Sequence, residues 1–274
     1  MFGSRLTIRK TCGMDGYDST TYGERIAEVY DEWYGDGGDL TLTRIGNPNE
    51  VADQIAILAG SAGRVLELGV GTGRLALPLA DRGLAVTGLD ASPSMLDRLK
   101  SKQGSERLTL VLGDMADPST CGSSFDVVLI GFNTLFNLTS EAAQQTCFSG
   151  VANLLMPDGY FVLEAFVPTP EAHNGVTVRD ISIDRVMLDV VAIDPETQTI
   201  TGQRIEMTTL GNRFFPYQLR YATPQQLDDM AIAAGLELIG RSEDWRNTPF
   251  TEDSPTHVST WRQSDILETQ QRTN

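Results

Sequence analysis

The sequence predicts an α/β protein: a doubly wound, mostly parallel sheet of seven strands, with an antiparallel β meander inserted near its end. Three observations predict it. Strand-like apolar runs alternate with helical stretches from Arg64 to Phe166, an order that implies parallel pairing through right-handed crossovers. The first run, Arg64-Val65-Leu66-Glu67-Leu68, ends on three alternating glycines, Gly69, Gly71 and Gly73, which suit a tight strand-to-helix turn. From Thr177 the pattern becomes apolar-polar alternation, the period of half-buried antiparallel strands.

Each element has a local cause. Residues 22–34 place Tyr22, Ile26, Val29, Tyr30 and Trp33 at helical spacing, and glycines at 35–38 end that helix. A second helix, 49–58, starts near Asn47 or Asn49. Strands follow at 64–68, 85–90, 108–112, 125–130 and 160–166. The helix at 75–80 has Gly83 past its end. Ser92-Pro93 supplies an N-cap and a first-turn proline. Residues 141–155 are helical, and Pro157-Asp158-Gly159 turns into the fifth strand. The meander reads as runs 177–193, 199–210 and 214–221, with a turn at 194–197. Thr223-Pro224 caps a helix to Ala234, and 236–241 and 257–262 complete the sheet. The expected organisation is a mobile segment at 1–21, a sheet domain at 22–166 and 223–262, the meander at 167–222, and a tail at 263–274. Over the strand ends the meander would act as a substrate lid; a stabilising flap or a homo-oligomer contact is the other use of such an insertion.

The chain has 274 residues, 41% hydrophobic and 21% charged, as in a globular protein. A net charge of −16 repels phosphate backbones and disfavours nucleic acid as a partner, though it also serves solubility. Cys12, Cys121 and Cys147 are odd in number and lack metal-ligand spacing, which suits a reducing cytoplasm. There is no apolar leader core and no run of eighteen apolar residues, so no membrane partner is expected.

The glycine turn is the centre of the functional reading. A side chain at Gly69 or Gly71 would fill the space a ligand needs, and a helix starting near 72–74 would offer free N–H groups to it. An ordinary β-to-α loop needs glycines too. A dinucleotide fingerprint needs glycine at 74, where Arg74 stands. Asp90 ends the second strand, where a carboxylate can accept from two ribose hydroxyls. Asp114, in Gly113-Asp114-Met115, follows the third strand; alone it would be a turn residue.

The run Glu67-x-Gly69-x-Gly71-x-Gly73 resembles motif I of class I S-adenosylmethionine (SAM) dependent methyltransferases. The helix YGERIAEVYDEWY at 22–34 is similar to the N-terminal helix of small-molecule members, amino-sugar N-methyltransferases among them. The resemblance implies a Rossmann-like fold, SAM as cofactor and S-adenosylhomocysteine as product. It implies that Asp114 meets the adenine amino group, that Met115 packs on the ring, that Asn133 holds the methionine amino group, and that Tyr22 or Tyr30 reaches the methionine carboxylate. Tyr34 would stand nearer the acceptor. Phe132 and Phe136 would exclude water from the methyl-donor pocket, unless they are core. The implied reaction is methyl transfer to nitrogen or oxygen of a small-molecule acceptor, a natural-product or sugar intermediate, driven by in-line positioning in a dry pocket.

A protonated acceptor would need a base. His173, past the fifth strand, is the candidate; His257 reads as a structural hydrogen-bonder. Glu164 sits in an apolar strand and needs a partner, such as Arg179 or Arg220. Glu164, Arg220, Phe136 and Trp245 are candidate acceptor contacts; Phe250 and Tyr221 could wall the same site, and core packing explains the aromatics equally. No metal-binding spacing is present. A cyclase using the same pocket, a nicotinamide oxidoreductase and a non-enzymatic binding module are the competing readings. A thermal-shift comparison decides among cofactors: SAM is expected to raise the melting temperature and NAD to leave it unchanged.

Overall fold

The computed structural model describes residues 13–35, 46–169 and 174–263. The strands of its parallel half are β1 (Arg64–Leu68), β2 (Ala85–Asp90), β3 (Thr109–Leu112), β4 (Phe125–Ile130) and β5 (Leu155–Phe166). The meander holds β6 (Gly175–Ile181), β7 (Arg185–Asp194), β8 (Thr199–Thr208) and β9 (Gly211–Arg220), and the chain returns with β10 (Leu236–Ser242) and β11 (Thr256–Gln263). The main sheet has the order β10-β11-β5-β4-β1-β2-β3. Its pairs are parallel except for β11, which is antiparallel to both β5 and β10. The chain winds outward from β1 to β3, then restarts at β4 on the other side. That reversal opens a crevice at the carboxyl ends of the strands.

Six helices, α1 (Thr21–Tyr34), α2 (Pro48–Ala59), α3 (Ala76–Asp81), α4 (Pro93–Lys100), α5 (Glu141–Leu154) and α6 (Pro224–Ala233), are present among the described residues. The central strands are covered on both faces, so both parities are apolar. Val65, Val86, Val127 and Leu129 pack with Val51 and Ile55 of α2, Leu79 of α3 and Leu99 of α4. Leu66, Leu68, Val128 and Ile130 pack with Phe148 and Val151 of α5 and Leu227 of α6. Each such side chain contributes about 1.5–3 kcal/mol by leaving water. The caps form as their residues predict: Ser92 Oγ accepts the Met95 N–H at 3.1 Å, and Thr223 makes a capping box with Gln226, each adding about 1 kcal/mol.

Three boundaries differ from expectation. The run 177–193 is two strands, split at Ser182-Ile183-Asp184, where the Ser182 N–H donates to the Arg185 carbonyl at 2.8 Å. Alternation resumes across so short a turn, which hides it in the sequence. Pro157-Asp158-Gly159 lies within β5 as an irregularity with Asp158 at φ 68°, and pairing to β4 shifts register there. Helix α3 begins at Ala76, later than 72–74, and has six residues.

Through β9 the meander touches the turn Thr134–Asn137 that follows β4. It packs on α1, where Trp33 meets the edge of Phe215 at 4.7 Å and Ile26, Val29, Met95 and Met187 close a small core of their own. Among the described residues no helix is long and apolar enough to cross a membrane.

His257 is fully buried on β11, with Nδ1 2.8 Å from Ser259 Oγ and Nε2 without a partner. Burial, and then the nearby Arg241 charge, push it down to about 3. The unfolded chain takes up this proton near pH 6.5 while the folded protein refuses it. Stability conferred by the neutral ring is thus present above that pH and falls as the pH drops, by about 1.4 kcal/mol per pH unit. Denaturation between pH 6.5 and 3 is expected to show a steeper loss for the wild type than for His257→Gln, by the slope of one proton.

Candidate active site

The cleft begins where β1 ends. Gly69, Gly71 and Gly73 hold φ of 75°, 53° and 84°, conformations that glycine adopts without steric cost. The loop folds across the end of β2: the Gly69 and Val70 N–H groups both donate to the Leu89 carbonyl, at 2.8 and 2.9 Å. The three glycines do different work. A Cβ on Gly69 would stand 2.2 Å from Thr134 Cγ2, and one on Gly73 would stand 2.3 Å from Leu99 Cδ1. Gly69 therefore admits the wall after β4, and Gly73 admits α4. A Cβ on Gly71 would meet nothing within 4 Å, because Gly71 faces the open cleft.

That cleft is open to solvent on one side. It is lined by Gly69, Gly71, Asp90, Asp114 and Met115 from the sheet, and by Tyr22 and Tyr30 from α1. Asp90 takes the Gly71 N–H on Oδ2 at 2.8 Å and the Ser92 N–H on Oδ1 at 2.9 Å. Burial raises its affinity for a proton, and these backbone donors oppose the rise. Asp114 is both a turn residue, accepting the Ala116 N–H at 2.8 Å, and a cleft residue. Burial also pushes Tyr30 up to about 12, with Arg74 opposing. Tyr22 lies well above the usual phenol range through burial and its neighbours Tyr34 and Tyr30.

Glu67 lies beneath the cleft rather than in it. It is 4% exposed and Oε2 has no hydrogen-bond partner. Burial pushes it up to about 8, although Arg74 pulls the other way.

Several expected contacts point elsewhere. Asn133 is tied to β5: its Oδ1 accepts the Phe166 N–H at 2.6 Å and its carbonyl accepts the Phe136 N–H at 3.0 Å, and it is not among the residues that line the cleft. Phe136 is fully buried, edge-on to Phe166 at 5.0 Å. Glu164 has neither Arg179 nor Arg220 as partner; it accepts from the Trp245 indole and the Gly46 and Phe132 backbones. Trp245 is thereby a buried core residue. Arg220 is buried against α5, donating to Gln144 at 2.8 Å and Glu141 at 2.6 Å. Burial of a charge demanded those partners, and helix-face polar residues such as Gln144 give no warning of it. His173 lies outside the described residues, and His257 is in the core, with Nδ1 on Ser259.

Other cleft residues escaped sequence reasoning. Tyr17, Asp18 and Ser19 line it from the segment before α1. A signal existed: Asp18-x-Thr20-Thr21 is a helix-start pattern, and Asp18 Oδ1 accepts both threonine N–H groups. Thr134, Asn137 and Leu138 line the wall after β4. Asn137 Oδ1 is buried there without a partner, an acceptor available to a ligand N–H.

Helix α1 is clamped over the cleft by two carboxylates. Glu24 accepts from Ser92 Oγ at 2.6 Å and from the Ser94 N–H at 2.9 Å. Asp31 accepts from Thr72 Oγ1 at 2.6 Å and Lys102 Nζ at 2.8 Å. Beyond Tyr30, aromatic rings continue to Tyr34 at 4.9 Å and on to Phe132 at 5.3 Å. Arg204 of the meander donates to the Tyr34 hydroxyl at 2.7 Å and is held by Asp189 at 2.8 Å. Burial alone would raise Asp189, but Arg204 and Arg179 outweigh it and hold the carboxyl below its usual range.

The comparisons agree with this geometry. Residues 65–159 match the methyltransferase domain family. The CcbJ methyltransferase from Streptomyces caelestis is 40% identical, superposes with a TM-score of 0.82, and is matched over 90% of this chain and 100% of its own. Cypemycin N-terminal methyltransferase from Streptomyces is 29% identical over 82% of this chain and 94% of its own. SAM-bound CalS10, an amino pentose methyltransferase from Micromonospora echinaspora, is 26% identical with a TM-score of 0.59, over 78% of this chain and 89% of its own. With a reversing sheet, a glycine cradle and an acid after β2, the chain belongs to the class I SAM-dependent methyltransferases, and SAM is its cofactor.

Substitution at two glycines separates cradle from fold. Gly71→Ala meets no protein atom; its left-handed backbone costs about 1–2 kcal/mol, so the protein is expected to fold. The added methyl enters ligand space at about 1–3 kcal/mol, and calorimetry is expected to show SAM binding weakened about tenfold or more. Gly69→Ala collides with Thr134 and is expected to lower the melting temperature further.

Proposed function

We propose that this enzyme transfers a methyl group from SAM to a nitrogen or oxygen of a small natural-product or sugar acceptor, with a sugar amine the first choice. The observation that carries it is Tyr34. It stands one ring beyond the cleft, between Tyr30 and Phe132, with its hydroxyl fixed by Arg204. This polar and aromatic edge adjoins the cofactor cleft and suits a compact, hydroxyl- or amine-bearing molecule. Two of the similar proteins are cypemycin N-terminal methyltransferase and an amino pentose methyltransferase, which supports an amine.

In this reading Asp90 accepts from the ribose hydroxyls, Asp114 and Met115 receive the adenine, and Gly69 and Gly71 leave room for the backbone to approach. Tyr22 and Tyr30 serve the methionine end, and Asn137 Oδ1 takes a cofactor N–H. When bound, SAM supplies an electrophilic methyl on a sulfonium. The aromatic rings exclude water, and Tyr34 orients the acceptor, so positioning carries most of the acceleration. The unit at 167–222 contributes to the acceptor side through Arg204, and His173 remains the proposed base for a protonated acceptor.

A panel of amino sugars and their hydroxyl counterparts, incubated with methyl-labelled SAM, tests the reading. Labelled N-methyl product is expected, and Tyr34→Phe is expected to lower kcat/KM about tenfold while leaving SAM affinity within about twofold. Conversion without transferred label would point to a cyclase instead.

A further inference from the structure

We infer that Glu164, outside the cleft, is the positioning residue that sets the cofactor wall after β4. It rests on the reading of that cleft as the SAM site.

The chain leaves β4 through Gly131, Phe132 and Asn133 before the 3-10 turn Thr134–Asn137. Phe132 and Asn133 are consecutive non-glycine residues with φ of 49° and 59°. Such left-handed residues are disfavoured and persist only where surrounding bonds over-determine them. Here β5 supplies the bonds. Glu164 is 5% exposed. Its Oε2 accepts the Phe132 N–H at 2.8 Å, and its backbone carbonyl accepts the Asn133 N–H at 3.0 Å. Its Oε1 is fixed in turn by the Trp245 indole and the Gly46 N–H, both at 2.9 Å. Gly131 keeps the path open: a Cβ there would stand 2.7 Å from Leu75 Cδ1. One buried carboxylate therefore joins the start of the wall to the segment before α2 and to the loop after β10.

Immediately beyond the strained pair stands the wall itself. Thr134 packs against Gly69, and Thr134, Asn137 and Leu138 face the cleft. The Phe132 ring lies between Tyr34, at 5.3 Å, and the Arg74 guanidinium, at 5.6 Å. Rotation of the Phe132 peptide would move the ring and the Asn137 oxygen together. Only a group that accepts on both oxygens satisfies the three donors around Glu164. Glutamine would turn an amide N–H₂ toward at least one of them.

The test compares Glu164→Gln with a stability control, Leu227→Ala, a core truncation on α6. SAM and S-adenosylhomocysteine binding are measured by calorimetry beside melting temperature. Both variants are expected to melt lower, but only Glu164→Gln is expected to weaken SAM binding, by about tenfold or more, the loss of a charge-assisted hydrogen bond. Equal SAM affinity in Glu164→Gln and wild type would overturn the inference; failure of wild type itself to bind would overturn the cofactor reading instead. Amide exchange on the wild type covers a variant that does not fold. The Phe132 and Asn133 amides are expected to be protected in the ligand-free protein. Protection gained only on adding S-adenosylhomocysteine would show that Glu164 does not hold the turn.

Discussion

The fold of the cleft depends on one crossing. The loop after β1 spans the end of β2 and is fastened by two N–H bonds to the Leu89 carbonyl and a third from Gly71 to Asp90. These bonds require left-handed backbone at alternate residues, which glycine supplies. With the loop drawn over β2, the acid at the end of that strand and the open Cβ position of Gly71 share one cavity. The wall after β4 can then close against Gly69, where any side chain would have kept it away.

The cover of the cavity is held by apolar packing of α1 on Met95, Met187 and Phe215 and is aligned by two carboxylates. Glu24 and Asp31 tie α1 to the start of α4, to Thr72 of the glycine loop and to Lys102. Charge-assisted bonds of this kind are short and directional, so they fix the rotation of α1 and thus where Tyr22 and Tyr30 point. The meander packs on α1 through Met187 and Phe215 and reaches Tyr34 through Arg204. The cofactor side and the meander therefore share one helix.

Buried ionisable groups take different solutions across the molecule. Asp189 is paired with arginines and stays below its usual range, whereas Glu67 lacks a partner on one oxygen and is pushed up. Glu164 receives three N–H donors, and His257 stays uncharged on β11. Pairing, and the shift of Glu67 and His257 toward the uncharged form, each lower the cost of burying a charge. The partners come from distant segments: Glu164 draws on residues 118 and 81 positions away. A local pattern shows that a partner is needed without naming it, so neither Arg179 nor Arg220 proved to be the partner of Glu164.

The sequence by itself determined the seven-strand α/β order, the glycine cradle and the positions of Asp90, Asp114 and Met115. These are consequences of short-range chemistry: periodicity, caps, and acids placed at strand ends. Tertiary structure alone decided the division of labour among the glycines and the placing of Asn133, Phe136, Arg220 and Trp245 outside the cleft lining. It also decided the entry of Tyr17, Thr134 and Asn137 into the cleft. Those outcomes depend on which face of an element meets which distant segment, and no spacing along the chain encodes that.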